Sequence, residues 1–236
     1  MKTFKSLIIL TLALIVGVNN AIAGNSDETQ VRKVEGFNAI KVSTGIDLYL
    51  KMGSSEEVKI VADDDIIDNL KTEVKDGTLH IYMKKNNWFN WGGNQTRKAY
   101  VTVNELVALH ASSGADVRTE NTIKGESLAV KASSGSDVVL DIFYKNLSVD
   151  TSSGSDATIS GKAKTFKAES SSGSDIKAKD LEAKIGKLSA SSGSDITATI
   201  TDELYARASS GSDIKYYGNP QIRDTDESSG GDVRHK

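Results

Sequence analysis

The chain of 236 residues lacks cysteine and has only one proline and three histidines. The absence of cysteine excludes disulfides, so packing and backbone hydrogen bonds must stabilise an exported form of this chain. Aromatic residues make up 6% of the sequence, which is too few for a large aromatic core. The formal charge of −3 argues against nucleic acid as the main partner, because surfaces that bind nucleic acid are basic.

The longest apolar run lies at the N-terminus. Residues 7–18 are almost entirely apolar and follow two basic residues, Lys2 and Lys5. Residues 21–23 read Ala-Ile-Ala, which matches a signal-peptidase site. We predict a cleaved signal peptide at 1–23 and an exported protein, periplasmic or extracellular, with no transmembrane segment after cleavage. An uncleaved anchor helix is the alternative, but the run is short for a membrane span.

A five-residue motif, Ser-Ser-Gly-Ser-Asp, recurs through the second half of the chain. It occurs unchanged five times, beginning at Ser133, Ser152, Ser171, Ser191 and Ser209. Three altered copies begin at Ser43, Ser112 and Ser228. From Gly114 to Gly230 successive motif glycines lie 18 to 21 residues apart. This period is typical of a solenoid, in which each coil buries its apolar side by stacking on its neighbours.

Apolar and polar side chains alternate around each motif. Counted from the motif glycine, apolar residues recur at −7, −5 and −3 and again at +3 and +5, as in Leu128, Val130, Ala132, Val138 and Leu140. Odd offsets share one strand face, so both serines beside the glycine are expected to point inward and the aspartate outward. We therefore predict an all-β, single-stranded parallel β-helix with about 19 residues per coil.

The predicted domain organisation follows from the repeat. After the signal peptide we expect a flexible linker at 24–30 and one β-helix domain at 31–236. Within that domain we expect an N-terminal part and cap, regular coils and a C-terminal cap, at residues 31–105, 106–217 and 218–236. The coils vary in length between +6 and the next −7, which predicts a variable loop side there.

The N-terminal part departs from the repeat. The acidic run 63–65 precedes apolar residues at helical spacing, so we predict a short helical turn within 63–70, capped by aspartate. A calcium loop of the EF-hand type is excluded, because it needs alternating ligands, a central glycine and a late glutamate. Residues 72–83 are expected to form a hairpin around Asp76-Gly77.

Residues 84–98 break the alternation and contain both tryptophans of the chain. Trp88, Phe89 and Trp91 lie among asparagine, glycine and basic residues, a composition typical of a loop. Two interpretations stay open. The rings fold back onto the solenoid and are buried, or they form an exposed platform that binds a sugar or a partner surface. The second makes these three residues candidate binding residues.

Stacked coils would align the motif residues in a ladder along one edge. The ladder is predicted to consist of Gly114, Asp116, Gly135, Asp137, Gly154, Asp156, Gly173, Asp175, Gly193, Asp195, Gly211 and Asp213. Neighbouring carboxylates about 5 Å apart repel by roughly 0.8 kcal/mol in water. Either each aspartate accepts backbone N–H bonds at its own turn, or calcium ions bind between the coils. The first interpretation predicts a structural ladder and no cofactor.

The sequence contains no recognisable catalytic constellation. His80, His110 and His235 are scattered, and no Gly-x-Ser-x-Gly motif occurs. Because Ser-Gly-Ser-Asp recurs in nearly every coil, it is not a nucleophile motif. Polysaccharide lyases and hydrolases built on β-helices need clustered acids or an arginine that interrupts the repeat. We therefore predict a protein that is not an enzyme.

Several motifs together resemble those of the auto-transporter adhesin head GIN domain family. They are the Phe37-x-x-Ile40-x-Val42 start, the Asp76-Gly77-Thr78-Leu79 hairpin, the serial Ser-Gly-Ser-Asp coils and the Tyr217-Gly218-Asn219-Pro220 ending. The resemblance covers about residues 31–234. It implies a right-handed β-helix in an exported protein of a Gram-negative bacterium, with no established catalytic residues.

The expected function is that of an exported binding or adhesion-like module. Its partners would be glycans or cell-envelope proteins rather than nucleic acid. Two alternatives remain: a polysaccharide-active enzyme on the same fold, and a purely structural envelope protein.

Overall fold

The computed structural model describes residues 27–84 and 95–236, and no helix in these residues is long and apolar enough to cross a membrane. The described chain is almost entirely extended, with one short 3-10 helix at Ile67–Asn69. Its strands are β1 (Asp27–Arg32), β2 (Ala39–Ser43), β3 (Asp47–Met52), β4 (Glu57–Asp63), β5 (Leu70–Lys75), β6 (Thr78–Met83), β7 (Arg97–Val103), β8 (Ala108–Ser112), β9 (Asp116–Thr119), β10 (Ile123–Ser133), β11 (Asp137–Ser152), β12 (Asp156–Ser170), β13 (Asp175–Ala190), β14 (Asp195–Ser209), β15 (Asp213–Tyr217), β16 (Ile222–Ser228) and β17 (Asp232–His235).

Strands β8 to β17 form a parallel solenoid with one sharp corner per coil. Each coil pairs in register with the next, so that Asp137 lies opposite Asp156, and Asp156 opposite Asp175. Between corners the backbone stays extended, since β11 to β14 each span 15 or 16 residues. The predicted parallel β-helix with coils of about 19 residues is confirmed.

The first coils do not follow the order of the sequence. Strands β2 and β3 flank the remote Ser43 copy and pair with β8 and β9, which brings Asp47 opposite Asp116. On the opposite side, β2 pairs with β6 and β3 pairs with β7. Strands β6 and β7 therefore form the coil at the end of the stack, although they come later in the sequence. The chain therefore leaves the stack after β3, builds one end of the solenoid with β4 to β7, and returns at β8.

Antiparallel strands cover that end of the stack. Strand β5 pairs with β6, β4 pairs with β7, and β1 pairs with β4. Strands β5 and β6 are the predicted hairpin. Its turn residues, Asp76 and Gly77, have φ of 49° and 72°, as a type I′ turn requires.

In the N-terminal part, the predicted linker is wrong, whereas the predicted helical turn is present without its predicted aspartate cap. The linker predicted at 24–30 is a strand from Asp27 onward, because β1 pairs with β4 along its whole length. The helical turn predicted within 63–70 is the 3-10 helix, but no side chain caps it. The carboxylate of Asp63 is buried and accepts a hydrogen bond of 3.1 Å from the backbone N–H of Thr96, so it serves the neighbouring strand instead.

The core is a stack of side chains from the predicted inward offsets. Leu128, Val130 and Val138 are each at most 2% exposed. Each inward position continues into the next coil in register, as in the row Val130, Val149, Ala168, Leu188 and Ala206. The outward positions between them are therefore left to present a surface.

The coils differ in length where the sequence predicts, but the backbone there is extended rather than looped. The pairing of β12 with β13 shifts register between Thr158 and Gly161. Gly161 has a φ of +110°, and a Cβ on it would lie 1.9 Å from the carbonyl oxygen of Ile142. Close approach of two backbones therefore requires glycine at this point.

Candidate functional site

Eight stacked corners form one edge of the solenoid. At each corner the residue before the glycine and the glycine itself have positive φ, for example 57° at Ser134 and 68° at Gly135. Two successive left-handed residues break the alternation of an extended strand. Ser134 is therefore exposed, whereas Ser136 is fully buried. The prediction that both serines beside the glycine point inward is wrong for the first of them.

In the five unchanged copies of the motif, the buried serine after the glycine links its corner to the stack by hydrogen bonds. The hydroxyl of Ser194 accepts a hydrogen bond of 3.2 Å from the N–H of Ser191, and its oxygen lies 2.7 Å from the carbonyl oxygen of Ser170 in the preceding coil, to which it donates. Ser155 and Ser212 repeat this pair of contacts in their own coils. The serines of the motif therefore supply the polar partners that a buried corner needs.

The motif aspartates lie in register, one per coil. The row contains Asp47, Asp116, Asp137, Asp156, Asp175, Asp195, Asp213 and Asp232, and is here named the aspartate ladder. The carboxylate of Asp156 accepts a hydrogen bond of 3.2 Å from the N–H of Asp175. The next two coils repeat this contact. The predicted acceptor role is correct, but the donor belongs to the next coil and not to the aspartate's own turn.

Lysines further reduce the repulsion along the aspartate ladder. The ammonium of Lys177 lies 2.7 Å from Asp156 and 3.8 Å from Asp175. The hydrogen bond to Asp156 raises the pKa of Lys177. Lys215 bridges the next pair of carboxylates in the same way. In this stretch of the ladder, carboxylates therefore have both backbone and cationic partners.

At the other end of the aspartate ladder, the repulsion between carboxylates is less well offset by neighbouring cations. Desolvation, followed by repulsion from Asp137 and Asp47, raises the pKa of Asp116. In the described ranges, no group of three or more His, Asp or Glu side chains could hold a metal ion. Calcium binding by the ladder stays a prediction.

A pair of stacked tyrosines lies on the outer side that follows the corner. Tyr49 and Tyr100 occupy adjacent coils, with ring centroids 4.8 Å apart and planes inclined by 13°. The ammonium of Lys59 lies 4.3 Å from the centroid of Tyr100. Because the rings cover each other, they offer mainly their edges to a ligand. Neither tyrosine was predicted as a site residue, since the adjacency follows only from the out-of-order first coils.

A groove runs along the solenoid on the side that precedes the corner. Two adjoining open depressions of about 600 and about 620 Å³ share Thr165 and Lys167, and together they are here named the axial groove. Its floor consists of two rows in register from coil to coil: Ser127, Asn146, Thr165, Ile185 and Glu203, and beside them Ala129, Ser148, Lys167, Lys187 and Tyr205. The groove was not predicted, because the even offsets −8 and −6 signal only that these residues point outward.

Two of the three histidines lie on the same side of the solenoid. His80 and His110 are in the two coils that flank the coil of Lys41, each directly opposite that lysine. Burial, followed by the charges of Lys41 and Lys131, lowers the pKa of His110. The strand that carries Lys41 thus separates the two imidazoles, an arrangement across the insertion that could not be seen in the sequence.

The predicted binding residues Trp88, Phe89 and Trp91 lie outside the described residues. They belong to the connection between β6 and β7. Both interpretations of these rings, burial and an exposed platform, stay predictions.

Several solved structures share this architecture. A structure described as a putative adhesin from Bacteroides fragilis is 23% identical, with a TM-score of 0.83 over 90% of this chain and 98% of that chain. One described as a putative lipid binding protein from Parabacteroides distasonis is 20% identical, with a TM-score of 0.73 over 91% and 98%. A putative adhesin from Parabacteroides merdae is 18% identical, with a TM-score of 0.66 over 89% and 96%. At these identities the similarity shows the fold.

The family relationship is carried by the sequence itself. No curated protein sequence matches the chain significantly. The family model described as "Putative auto-transporter adhesin, head GIN domain" matches residues 36–220, which is most of the chain. The match includes β2, which begins the solenoid, and extends to the last corner but one. The chain belongs to this auto-transporter adhesin head GIN domain family.

Proposed function

We propose that this protein is an exported, non-enzymatic binding module that attaches to glycans or cell-envelope partners through the outer side of its solenoid. The observation that carries the proposal is the axial groove. A long, open groove on a stack of paired strands fits an extended chain better than a small molecule, whose sites are enclosed pockets. The adhesin family and the signal peptide predicted at 1–23 support the same conclusion.

A binding experiment with residues 24–236 on a glycan array and on cell-envelope fractions tests the proposal. The double substitution Ser148→Gln and Thr165→Gln lengthens two side chains on the floor of the groove. Thr158→Gln and Thr197→Gln make a matched change on the side that follows the corner. We expect only the first pair to weaken binding, while both variants keep the melting temperature of the wild type. Equal effects of the two pairs, or no binding by the wild type, would contradict the proposal.

Trp88, Phe89 and Trp91 are proposed as additional contacts, on the basis of their composition. Replacing both tryptophans by alanine should then remove binding without lowering the melting temperature. Unchanged binding, or a large loss of stability, would show that the rings are not contacts.

We also propose that the protein needs no cofactor. Carboxylates of the aspartate ladder already have backbone N–H and lysine partners, as at Asp156. Millimolar calcium should therefore leave the melting temperature unchanged. A clear rise that EDTA reverses would instead support calcium binding along the ladder.

A further inference from the structure

Exposed lysines are concentrated in the middle of the axial groove. Five of them, here named the lysine cluster, are Lys145, Lys164, Lys167, Lys184 and Lys187. Lys167 and Lys187 belong to the groove floor. The other three lie in successive coils beside the groove floor. Each directly precedes a floor residue, namely Asn146, Thr165 or Ile185. The cluster therefore presents positive charges in line, parallel to the solenoid axis.

Like charges face each other within the lysine cluster. Lys167 lies directly opposite Lys187 in the pairing of β12 with β13. Lys164 lies opposite Lys184, because the pairs immediately before and after them are in register. Like charges in directly opposite positions destabilise a sheet. These two pairs therefore do not serve the stability of the fold, in contrast to the lysines beside the aspartate ladder.

Carboxylates neutralise the lysine cluster only in part. Lys145 lies 3.3 Å from Glu126, and Lys167 lies 2.7 Å from Glu169. In the described part of the chain, no carboxylate oxygen lies within 4.0 Å of the ammonium groups of Lys164, Lys184 or Lys187. The middle of the groove, with its five lysines, thus keeps a net positive charge, whereas Glu105 lines one end and Glu203, Asp224 and Arg207 line the other.

An exposed aromatic ring lies beside the lysine cluster. Phe143 is 60% exposed and has Lys124 and Lys162 opposite it in the neighbouring coils. It precedes Lys145 by two residues on the same strand, so both side chains point outward. An aromatic ring among cations fits a ligand that combines an apolar ring face with negative substituents.

We propose that the axial groove binds a linear acidic polysaccharide, laid parallel to the solenoid axis with its carboxylate or sulfate groups on the lysine cluster. This inference rests on the proposed binding function and names the class of ligand. Successive strands are about 4.8 Å apart, so the cluster offers one row of cations per coil to a chain whose charges repeat along its length. Polar side chains of the floor, Asn146, Ser148 and Thr165, supply hydrogen-bond partners for sugar hydroxyls. A membrane surface fits less well, because membrane-binding faces carry several exposed apolar side chains, whereas the rings beside the cluster are Phe143 and the partly exposed, polar-tipped Tyr205.

Binding of residues 24–236 to polygalacturonate, and to the same polymer after complete methyl esterification, tests the charge requirement. We expect binding to the acid and not to the ester. Raising the salt from about 50 to about 500 mM should abolish it, because exposed charges are then screened over a few ångströms. Dextran sulfate, compared with neutral dextran, distinguishes a preference for sulfate from one for carboxylate.

Substitutions locate the site. Lys164→Gln with Lys184→Gln should raise the Kd for polygalacturonate about tenfold or more, whereas Lys164→Arg with Lys184→Arg should retain binding. Lys33→Gln with Lys51→Gln changes the net charge equally at exposed positions elsewhere and should alter the Kd less than about twofold. Thermal unfolding of each variant checks that the fold is intact.

Three outcomes would overturn the inference. If acid and ester bind equally, or if the two glutamine variants behave alike, the ligand is not held by the lysine cluster, although a binding function remains. Binding only to phosphatidylglycerol vesicles, lost in the Lys164→Gln and Lys184→Gln variant, would assign the cluster to a membrane surface. If the wild type binds no glycan and no envelope fraction, the proposed function itself fails.

Discussion

A serine with left-handed backbone geometry is unfavourable, yet seven corners of this protein contain one, with φ between 50° and 58°. Each such residue costs roughly 1–2 kcal/mol relative to the right-handed region. In five of these seven corners a neighbouring buried serine offsets this cost by hydrogen-bonding to backbone groups, as Ser194 does with its own corner and the preceding coil. The motif thus combines one residue of unfavourable backbone geometry with one buried hydroxyl that hydrogen-bonds to the backbone.

Ser194→Ala should destabilise the protein by about 1–2 kcal/mol, because the N–H of Ser191 then loses its acceptor at a buried corner. Ser192→Ala is the matched control, since this serine is exposed and should change the stability by less than about 0.5 kcal/mol. Urea unfolding of both variants measures the difference. Equal effects would show that the hydroxyl of Ser194 does not hold the corner.

The raised pKa of Asp116 makes its charge unfavourable in the native state. A carboxyl whose native pKa is raised contributes stability below the unfolded-state pKa and loses it as the pH rises through the native pKa. Asp116→Asn should therefore stabilise the protein at pH 7 by up to about 0.5 kcal/mol, allowing for solvent screening of this partly exposed group. The gain should shrink towards pH 4, where the wild-type carboxyl takes up its proton.

Asp156→Asn is the control for that experiment. It removes the charge that faces Lys177 at 2.7 Å and should destabilise the protein at pH 7 by up to about 0.5 kcal/mol. Chemical denaturation at both pH values compares the two variants. If Asp116→Asn lost as much stability as Asp156→Asn, the repulsion between carboxylates would be equally well offset at both positions, contrary to what we expect.

At the scale of the strands, differences in coil length appear as register shifts between one corner and the next, near Gly161 in one coil and between Ala178 and Ile185 in the following coil. Strand β12 passes the preceding coil at Gly161, where the backbone of Ile142 occupies the space a side chain would need. The pairing of β12 with β13 shifts register between Thr158 and Gly161, yet Asp156 still lies opposite Asp175, so a coil can gain or lose a residue there without moving its corner. The corners therefore stay aligned although their spacing varies.

Gly161→Ala should cost more than about 3 kcal/mol, because its Cβ would overlap the carbonyl of Ile142. Gly154→Ala provides the matched comparison. That glycine also has positive φ, 67°, but no atom lies within 4 Å of the position that a Cβ would take, so only the backbone cost of about 1–2 kcal/mol applies. Thermal unfolding followed by circular dichroism would refute the interpretation if the two variants melted alike.

For the whole molecule, the repeat made the solenoid, the inward side chains and the aspartate row predictable. Those features depend only on the spacing of identical motifs and on strand parity, as the row from Asp137 to Asp195 shows. The pairing of β6 with β2 and of β7 with β3 was not predictable, because it joins strands across a long insertion. The axial groove was also missed, since it arises from the relative size of outward side chains in neighbouring coils.

The aspartate ladder and the axial groove differ in how their charges are paired, and this difference arises only when the coils stack. Aspartates are partnered by lysines such as Lys177, whereas Lys164 and Lys184 face each other. Neither arrangement is visible along the sequence, where lysine and aspartate simply alternate with apolar residues. We infer that this unpaired positive charge marks the ligand-binding side of the solenoid.

Carbodiimide cross-linking of a short oligogalacturonate to the protein, followed by peptide mass spectrometry, tests that claim most directly, because the reagent joins amines only to carboxylates in contact with them. We expect adducts on Lys164, Lys184 and Lys187. Adducts spread over all exposed lysines, or concentrated at Lys177 and Lys215 beside the aspartate ladder, would contradict it.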